Sequence, residues 1–548
     1  MVSARERTTL VMTNLTKLAQ IGAKLHRMSD YDAIIVGAGH NGLTAAVVLQ
    51  RAGLRTLCLE ANTYSGGMSA TVELIDGFKY EIAGSVRFPT AQKINSELGL
   101  DTLPTIESEI MSVNLGENGE EAMVFHSDPM AMMTHLNEKH GMDAVMAMAN
   151  LYAWSSGPGK ALGRFDALAP PKTIDEMYAC AADENERRAI HEMLFGSAMD
   201  VVDRFLPDKE KHSVIRGMLA FLAVNSTYRG PYTPGSATCL AFAMAMPPEG
   251  GQMTTKLKGG IGVLAEHLRD LFVDAAGEMR YRTKVEQILV EDGKVTGVRL
   301  KDGEVINAPI VVSNLAPETT LLDLVGVDHL PSSLVTRLGG RDHRASFMQI
   351  HFALDGLPQY AAPYDFLNEP GMQMSVGMFG SPEEQQRQWE MARGGDVPDN
   401  PALSIQMPTV GDPEMAPEGK HAASVYAYGF PIEAPRDQHG QLKTVMAERV
   451  VDKITRYAPN FKDILIRDIT FAPYHMNTMF AAPNGDFCHG LLQPELMGVN
   501  RPGPKGFIDE PIPIEGLYLG GAGCHGGPGI TFIPGYNAGY QVLEDAGR

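Results

Sequence analysis

Residues 32–60 read DAIIVGAGHNGLTAAVVLQRAGLRTLCLE, and this stretch decides the fold. Residues 33–36 form a short apolar run that is typical of a buried parallel strand. Three glycines follow it at the spacing G-x-G-x-x-G: Gly37, Gly39 and Gly42. The sequence then predicts a helix over residues 44–52 and a second strand over residues 56–59, with Glu60 at its end. This order of strand, glycines, helix, strand and acid predicts a complete βαβ unit rather than an ordinary glycine turn.

Each glycine of this turn has a separate physical role in binding a dinucleotide. Gly37 permits the tight turn, Gly39 lets the backbone approach a pyrophosphate, and Gly42 lets the helix lie close to the strand. The helix N-terminus offers unpaired N–H groups to the phosphates. Glu60 can accept hydrogen bonds from a ribose 2′-hydroxyl and would repel a 2′-phosphate. We therefore predict one dinucleotide site at this turn.

Length and composition narrow the class of protein. A chain of 548 residues is too long for one compact core, so two or more domains are expected. The formal net charge of −20 argues against nucleic acid as a partner but leaves an apolar substrate open. The five cysteines form no C-x-x-C pair, so we expect a reducing compartment and no disulfide framework. No metal site is predicted, and no apolar run reaches the length of a membrane span.

The first 30 residues differ from the rest, because they contain five basic and two acidic residues. Val11, Leu15, Leu18, Ile21 and Leu25 would fall on one face of a helix. Such a helix is typical of a targeting peptide or of a segment that lies on a membrane surface. An upstream extension explains the segment equally well. Cytoplasm is the default localisation, and the mitochondrial matrix or a membrane surface is the alternative.

Two other segments place glycines where a ligand could approach the backbone. Gly66 and Gly67 form a loop shortly after Glu60. Residues 520–529 read GGAGCHGGPG and again contain the spacing G-x-G-x-x-G. Since no second strand and acid complete this unit, we interpret it as a glycine loop that returns to the first nucleotide. The sequence thus predicts one dinucleotide site and no second, independent one.

The middle of the chain gives weaker signals. Residues 128–150 contain six methionines, which favour packed helices over an apolar substrate channel at about two to one. Residues 258–262 read KGGIG and precede a predicted helix over residues 263–275 and short strands at 279–282, 285–291 and 294–301. Strand-rich sequence from 347 to 428 is interrupted by a polar stretch at 381–400, which predicts a loop.

With these segments placed, the chain resembles the phytoene desaturase-like flavoproteins. Within them it is most similar to the pyridine nucleotide-disulfide oxidoreductase domain-containing protein 2 group. The resemblance covers residue 31 to the end. It depends on the first nucleotide unit with Gly66-Gly67, the Gly259-Gly260 helix with its hairpin, the run NGDFCHG at 484–490, and GAGCHGGPG at 521–529. The paired cysteines that the group's name suggests do not occur, so thiol–disulfide chemistry is not expected.

The resemblance implies FAD as the cofactor. The ADP half would lie on the first unit, a valine on the strand after the Gly-Gly helix would contact adenine, and the C-terminal glycines would lie beside the flavin. The implied cofactor-binding residues are Gly37, Ala38, Gly39, His40, Asn41, Gly42, Glu60, Gly66, Gly67, Val285, Gly521, Ala522, Gly523, Gly529 and Ile530.

The fold class that follows is α/β, with a discontinuous Rossmann-like FAD-binding domain and an interleaved α+β substrate domain. Residues 1–30 are an extension, and the FAD-binding domain comprises residues 31–95, 251–330 and 506–548. A helical cap over 96–250 and a mixed substrate domain over 331–505 occupy the intervals.

The expected reaction moves a hydride between flavin N5 and a C–C bond of an apolar, isoprenoid-like molecule, by desaturation, saturation or isomerisation. His489, His525 and Tyr536 are the candidates for proton transfer or polarisation, although each could instead hold a loop near the cofactor. Flavin amine oxidases share the architecture and are the nearest alternative, but they usually carry arginine where this chain has Met68. A flavin-bound protein that acts through partners is the second alternative. The oligomeric state stays open.

Overall fold

The computed structural model describes residues 30–117, 119–247, 255–344 and 347–548. The amphipathic helix predicted within residues 1–27 lies outside the described residues.

The strands, in chain order, are β1 Ala33–Val36, β2 Thr56–Leu59, β3 Thr71–Ile75, β4 Phe78–Glu81, β5 Ile110–Asn114, β6 Met123–His126, β7 Glu278–Arg280, β8 Val285–Glu291, β9 Lys294–Leu300, β10 Val305–Asn307, β11 Val311–Ser313, β12 Phe347–Leu354, β13 Ser375–Met378, β14 Leu403–Gln406, β15 His421–Tyr428, β16 Leu465–Phe471 and β17 Leu517–Leu519. The α-helices are α1 His40–Arg51, α2 Gln92–Leu98, α3 Pro129–His140, α4 Met142–Leu162, α5 Ile174–Ala179, α6 Glu184–Phe195, α7 Ala198–Phe205, α8 Ser213–Val224, α9 Ala237–Met244, α10 Val263–Asp274, α11 Ser332–Gly339, α12 Pro382–Arg393, α13 His439–Tyr457, α14 Phe461–Ile464, α15 Pro473–Phe480 and α16 Ile533–Asp545.

A parallel sheet joins three remote parts of the chain in the order β17-β11-β1-β2-β7. Its central strand β1 is buried on both faces, which explains its unbroken apolar sequence. Helix α1 packs against α10 and α16, so the helices of all three parts also meet. This confirms the discontinuous Rossmann-like domain that the sequence predicted.

A second sheet has seven strands in the order β16-β12-β15-β14-β13-β5-β6. All its pairs are antiparallel except β13 with β5. Four of its strands, β12 to β15, lie between residues 347 and 428, as the strand-rich sequence predicted, whereas β16 lies beyond that range. Strands β5 and β6 come from the segment that the sequence assigned to the helical cap. Helices α3 to α9 pack around a separate core.

The polar loop predicted over residues 381–400 is wrong, because most of it forms helix α12. The hydroxyl of Ser381 accepts a hydrogen bond from the backbone N–H of Glu384, and Pro382 occupies the first helical position. The helix buries few apolar side chains, so its sequence has little hydrophobic periodicity.

Other local predictions are confirmed or refined. The β8–β9 hairpin turns at Asp292 and Gly293, both with positive φ, as the Asp-Gly pair predicted. Strand β7, however, joins the parallel sheet beside β2 instead of this hairpin. The methionine-rich segment is helical, with Met130, Met133, Met142 and Met146 exposed. None of the described helices is long and apolar enough to cross a bilayer.

Candidate active site

A cavity of about 750 Å³ lies where the parallel sheet meets the seven-stranded sheet. Gly37, Glu60 and Asn314 reach it from the carboxyl ends of β1, β2 and β11. Ala522 and Gly529 reach it from the loop after β17. Ligands of open parallel sheets bind at this edge, so the sheet itself determines where the site lies.

Most of the predicted cofactor residues line this one cavity. They are Gly37, Gly39, His40, Asn41, Glu60, Gly66, Gly67, Val285, Ala522, Gly529 and Ile530, and the candidate His489 lines it with them. Six predicted site residues are not among the described residues that line the cavity. Four were predicted to bind the cofactor, Ala38, Gly42, Gly521 and Gly523, and two were catalytic candidates, His525 and Tyr536. Three of these residues nonetheless shape the wall. The N–H of Ala38 donates to Glu60, and Gly42 and Gly521 pack closely against Gly37 and Asn314.

The first glycine turn has the geometry that its sequence predicted. Gly37 has a φ of 93°, in the region that favours glycine. A Cβ added at Gly42 would lie 2.1 Å from the carbonyl oxygen of Gly37, so α1 begins directly against the turn. The N-cap residue of α1 is Gly39, which has no side chain to cap the helix. The N–H of Gly42 donates to Asn314, and in the described structure the N–H groups of His40 and Asn41 are left for an anionic ligand.

Glu60 both holds this turn and faces the cavity. Its carboxylate accepts a hydrogen bond of 2.8 Å from the backbone N–H of Ala38 and another of 2.8 Å from that of Asn62. The side chain is nearly buried, and it lines the cavity next to Gly39. Since a carboxylate has about four acceptor sites, Glu60 keeps capacity for ribose hydroxyls.

Asn314 is a wall residue that the sequence reasoning missed. Its Oδ1 accepts a hydrogen bond of 3.0 Å from the N–H of Gly42, and its Nδ2 lies 2.5 Å from where a Cβ on Gly39 would be. A side chain at Gly39 would therefore displace Asn314. The available signal was its position immediately after a buried strand, at the carboxyl edge of a parallel sheet.

The C-terminal glycine segment returns to the same turn. A Cβ at Gly521 would lie 2.5 Å from the carbonyl oxygen of Asn314, and one at Gly535 would lie 1.9 Å from that of Asn41. Helix α16 begins only at Ile533, after this loop. The close approach brings Ala522, Gly529 and Ile530 into the wall, as expected for a loop serving the first nucleotide site.

His489 is a wall residue whose backbone has a strained, left-handed conformation. Its φ is 49°, and among the described residues its Nδ1 has no hydrogen-bond partner. Burial lowers its pKa to about 4. Burial likewise lowers the pKa of His40, another wall residue, to about 4. Both imidazoles are therefore neutral at pH 7 and can accept a proton.

A buried ionic cluster fixes the loop that carries His489. Asp486 accepts hydrogen bonds from the backbone N–H groups of Cys488 and Gly490 at 2.8 and 2.7 Å. His343 bridges Asp486 and Glu318, at 3.1 and 3.2 Å. Burial alone would lower the pKa of His343, but its two carboxylate partners outweigh burial and raise that pKa to about 9. The imidazolium therefore ties this loop to the end of the parallel sheet.

Arg501 joins the same loop to the C-terminal glycines. Its buried guanidinium donates to the carbonyl oxygens of Cys488, Gly490, Ala522 and Cys524, at 2.8 to 3.1 Å. The loop of His489 and the loop of Ala522 are thus held together by one side chain.

His525 and Tyr536 lie elsewhere. His525 is buried with its Cε1 3.6 Å from where a Cβ on Gly163 would be, and burial lowers its pKa to about 4. The hydroxyl of Tyr536 donates to the carboxylate of Glu97, and burial together with Glu97 raises its pKa. Tyr536 binds a neighbouring segment, and the Nε2 of His525 has no hydrogen-bond partner among the described residues, but neither side chain lines the cavity. Their catalytic roles stay predictions.

Aromatic rings form the far part of the cavity, which we call the aromatic region: Phe221, Phe347, Tyr426, Tyr428 and Phe487. The ring of Phe347 lies 4.5 Å from that of Phe487, 5.4 Å from Tyr426 and 5.8 Å from Tyr428. The ring of Phe221 lies 4.6 Å from that of Tyr428. The sequence did not predict this region, because its residues come from α8, β12, β15 and a loop. These elements are far apart in the chain and meet only in the folded structure.

The cavity fits a flavin dinucleotide. Gly39 and Gly67 lie side by side in its wall, and a Cβ at Gly67 would lie 3.8 Å from the Cα of Gly39. A Cβ at Gly529 would meet nothing within 4 Å in the described structure. Glycines thus leave backbone open at both ends of the nucleotide path, and Glu60 supplies the acid for ribose.

Known proteins support this assignment. The chain is 28% identical to mouse pyridine nucleotide-disulfide oxidoreductase domain-containing protein 2, over 96% of each chain. It is 23% identical to prolycopene isomerase 1 of an Oncidium hybrid cultivar, over 98% of this chain and 88% of that protein. It is 24% identical to a lycopene-forming phytoene desaturase of Pseudescherichia vulneris, over 91% and 96%. These relatives confirm the resemblance stated above.

Solved structures confirm the fold. An oxidoreductase from Methanosarcina mazei superposes with a TM-score of 0.58 at 15% identity, over 93% of this chain and 99% of that one. A putrescine oxidase superposes with a TM-score of 0.55 at 13% identity, over 94% and 98%. The family model of flavin containing amine oxidoreductases matches residues 42–541. The chain therefore belongs to the flavin-containing amine oxidoreductase family and is an FAD-dependent oxidoreductase.

Proposed function

We propose that this enzyme desaturates, saturates or isomerises a C–C bond of an uncharged, apolar small molecule. The observation that carries the proposal is the chemistry of the aromatic region, whose rings offer a dry surface to such a substrate. The charged side chains of the described cavity wall, Glu60, Lys284 and Asp323, belong instead to the nucleotide side, beside β2, β8 and the π-helix Thr319–Gly326.

The protein's part in this reaction is alignment, exclusion of water and transfer of one proton. Bound FAD would supply the hydride acceptor or donor at its N5 atom. The aromatic region would hold the carbon skeleton against the flavin and keep water out. His489 is the proposed proton acceptor for a desaturation, because its imidazole is neutral and its Nδ1 has no partner in the described structure.

The names of two relatives agree with this class of substrate. One is a prolycopene isomerase and another is a phytoene desaturase, and both names refer to chemistry on long unsaturated hydrocarbons. By analogy with them, we expect an isoprenoid-like substrate. The cytoplasm remains the proposed localisation.

Amine oxidation is the second candidate, and the same rings favour it. Tyrosine and phenylalanine faces attract a cationic amine, and the family includes amine oxidoreductases. The wall residues of the aromatic region nonetheless add no carboxylate to pair with such a cation within the described structure.

Anaerobic stopped-flow spectroscopy distinguishes these functions. The FAD-loaded enzyme is mixed with lipophilic alkenes or their saturated counterparts, and separately with primary amines. We expect alkane-like substrates to bleach the flavin band, or alkenes to restore the band of the reduced enzyme. Bleaching by amines alone, with peroxide released in air, would contradict the proposal and support the oxidase. Isomerisation leaves the oxidation state of the flavin unchanged, so the alkenes are also analysed for isomerised product. If neither class changes the flavin and no isomer forms, a binding protein with little turnover is the better description.

A further inference from the structure

The aromatic region contains two polar groups that no protein contact explains. The Tyr428 hydroxyl makes no hydrogen bond to any described residue, although its ring packs against Phe221 and Phe347. Asn225, at the C-terminal end of α8, also lines the cavity. Its Oδ1 accepts a hydrogen bond from the hydroxyl of Ser226, whereas its Nδ2 donates to no described residue.

These two groups lie near each other at one end of the cavity. The thiol of Cys239 lies 3.8 Å from the Oδ1 of Asn225. The ring of Tyr428 lies 4.6 Å from that of Phe221, and the carbonyl oxygen of Phe221 accepts a hydrogen bond of 3.1 Å from the backbone N–H of Asn225. Burial raises the pKa of Tyr428, so its hydroxyl stays protonated at pH 7.

Unpaired polar groups in an apolar cavity are costly unless a ligand or water satisfies them. Tyr428 can donate and accept, and the Asn225 Nδ2 can donate. Charged groups are absent from this end among the described wall residues, and the neutral imidazole of His489 adds none. The complementary ligand atom is an uncharged oxygen that accepts two hydrogen bonds.

We propose that Tyr428 and Asn225 bind the oxygen of an alcohol or carbonyl group at one end of the substrate. The substrate is then an apolar alkene with a single uncharged polar head, rather than a pure hydrocarbon. This inference rests on the proposed function and specifies its substrate class. It also gives the substrate a fixed direction in the cavity, because only one end can pair with these groups.

The test compares two ligands and two variants. The ligands are a branched alkene with a terminal primary alcohol and the same alkene with a terminal methyl group. The dissociation constant of each is measured anaerobically from the perturbation of the flavin absorbance, and the rate of flavin reduction or reoxidation is recorded. Tyr428→Phe removes only the hydroxyl and leaves both ring contacts. Tyr152→Phe is the matched control, because Tyr152 lies on α4 outside the cavity wall.

We expect the wild-type enzyme to bind the alcohol about tenfold more tightly than the hydrocarbon, as one satisfied hydrogen bond implies. Tyr428→Phe should remove that preference while the hydrocarbon binds within about twofold of wild type. Asn225→Asp, which replaces the amide donor by an acceptor, should also remove it. Tyr152→Phe should keep the preference for the alcohol over the hydrocarbon.

Three outcomes would overturn the inference. If the wild-type enzyme binds and converts both ligands equally, the polar pair does not select a head group, yet the proposed function stands. An equal loss for both ligands in Tyr428→Phe would show that the residue only shapes the cavity. If neither ligand perturbs, bleaches or restores the flavin, the proposed function fails and this inference fails with it.

Discussion

Glu60, which the sequence predicts to bind ribose, holds the glycine turn and faces the cavity. Its carboxylate accepts two backbone N–H groups, from Ala38 and Asn62, and still faces the cavity. In Glu60→Gln, one oxygen becomes an NH₂ group that can no longer accept a hydrogen bond. We expect FAD to bind about tenfold more weakly, as measured by fluorescence titration of the FAD-free protein.

The control is Glu73→Gln, since Glu73 also accepts a backbone N–H, from Gly77, but does so on the exposed β3–β4 hairpin. It should leave FAD affinity unchanged. Unaltered affinity in Glu60→Gln would show that Glu60 supports the turn without binding the nucleotide.

Residues with local constraints were predictable, and residues placed by the fold were not. Gly37, Gly42 and Glu60 could be assigned because their roles depend on neighbours within the same βαβ unit, the most remote being Ala38, 22 residues before Glu60. Asn314 meets Gly42 across 272 residues, and no local pattern marks it. Tyr536 was predicted from its neighbourhood in the sequence, but α16 turns its hydroxyl toward Glu97 instead.

At the scale of elements, the loop of residues 486–490 depends on the ionic cluster. In Asp486→Asn, His343 and the N–H groups of Cys488 and Gly490 lose a charged acceptor inside the protein. Breaking a buried pair in this way should lower the free energy of unfolding by about 3–5 kcal/mol, measured by urea denaturation.

The exposed pair of Arg337 and Asp509 supplies the comparison, at 2.8 Å with Asp509 largely exposed. Asp509→Asn should change the free energy of unfolding by less than about 1 kcal/mol. The double variant His343→Gln/Asp486→Asn should recover part of the loss, because no buried imidazolium is then left facing the Asn amide and Glu318 keeps Arg341 as its charged partner. A cost at Asp486 no larger than at Asp509 would contradict the ionic role.

The elements themselves show where sequence patterns are sufficient. The βαβ unit and the Asp292-Gly293 hairpin were predictable, since each carries its own strand, turn and helix signals. Helix α12 was not predictable, because it buries few apolar side chains and its sequence therefore shows little hydrophobic periodicity. Strands β5 and β6 join a sheet whose other strands lie more than 220 residues further along the chain, so no local pattern indicates their pairing.

For the whole molecule, buried histidines make stability depend on pH. Burial lowers the pKa of His40, His489 and His525 to about 4 and that of His351 to about 3. Because the unfolded chain binds their protons near the ordinary pKa of 6.5, stability is lost as pH falls from about 6.5 toward 4. We expect the free energy of unfolding to fall between pH 7 and pH 5 by an amount on the order of 1–3 kcal/mol per histidine, seen as a lower urea midpoint.

His343 has the opposite dependence, because its pKa is raised to about 9. Its contribution is complete below about pH 6.5 and is lost as pH rises through 9. It therefore cannot offset the acid loss. His351→Gln should flatten the acid limb, whereas the same change at the exposed His329 should not. A urea midpoint that stays constant from pH 7 to pH 5 would contradict this account.

The central claim is that three remote segments of the chain, two of which carry glycine loops, form one FAD site. Hydrogen–deuterium exchange of the chain without and with FAD, read by mass spectrometry, tests it most directly. We predict slower exchange on FAD binding in residues 37–42, 283–285 and 520–530 together, because all three line the same cavity. Protection confined to residues 37–42, with the C-terminal segment unchanged, would contradict the claim.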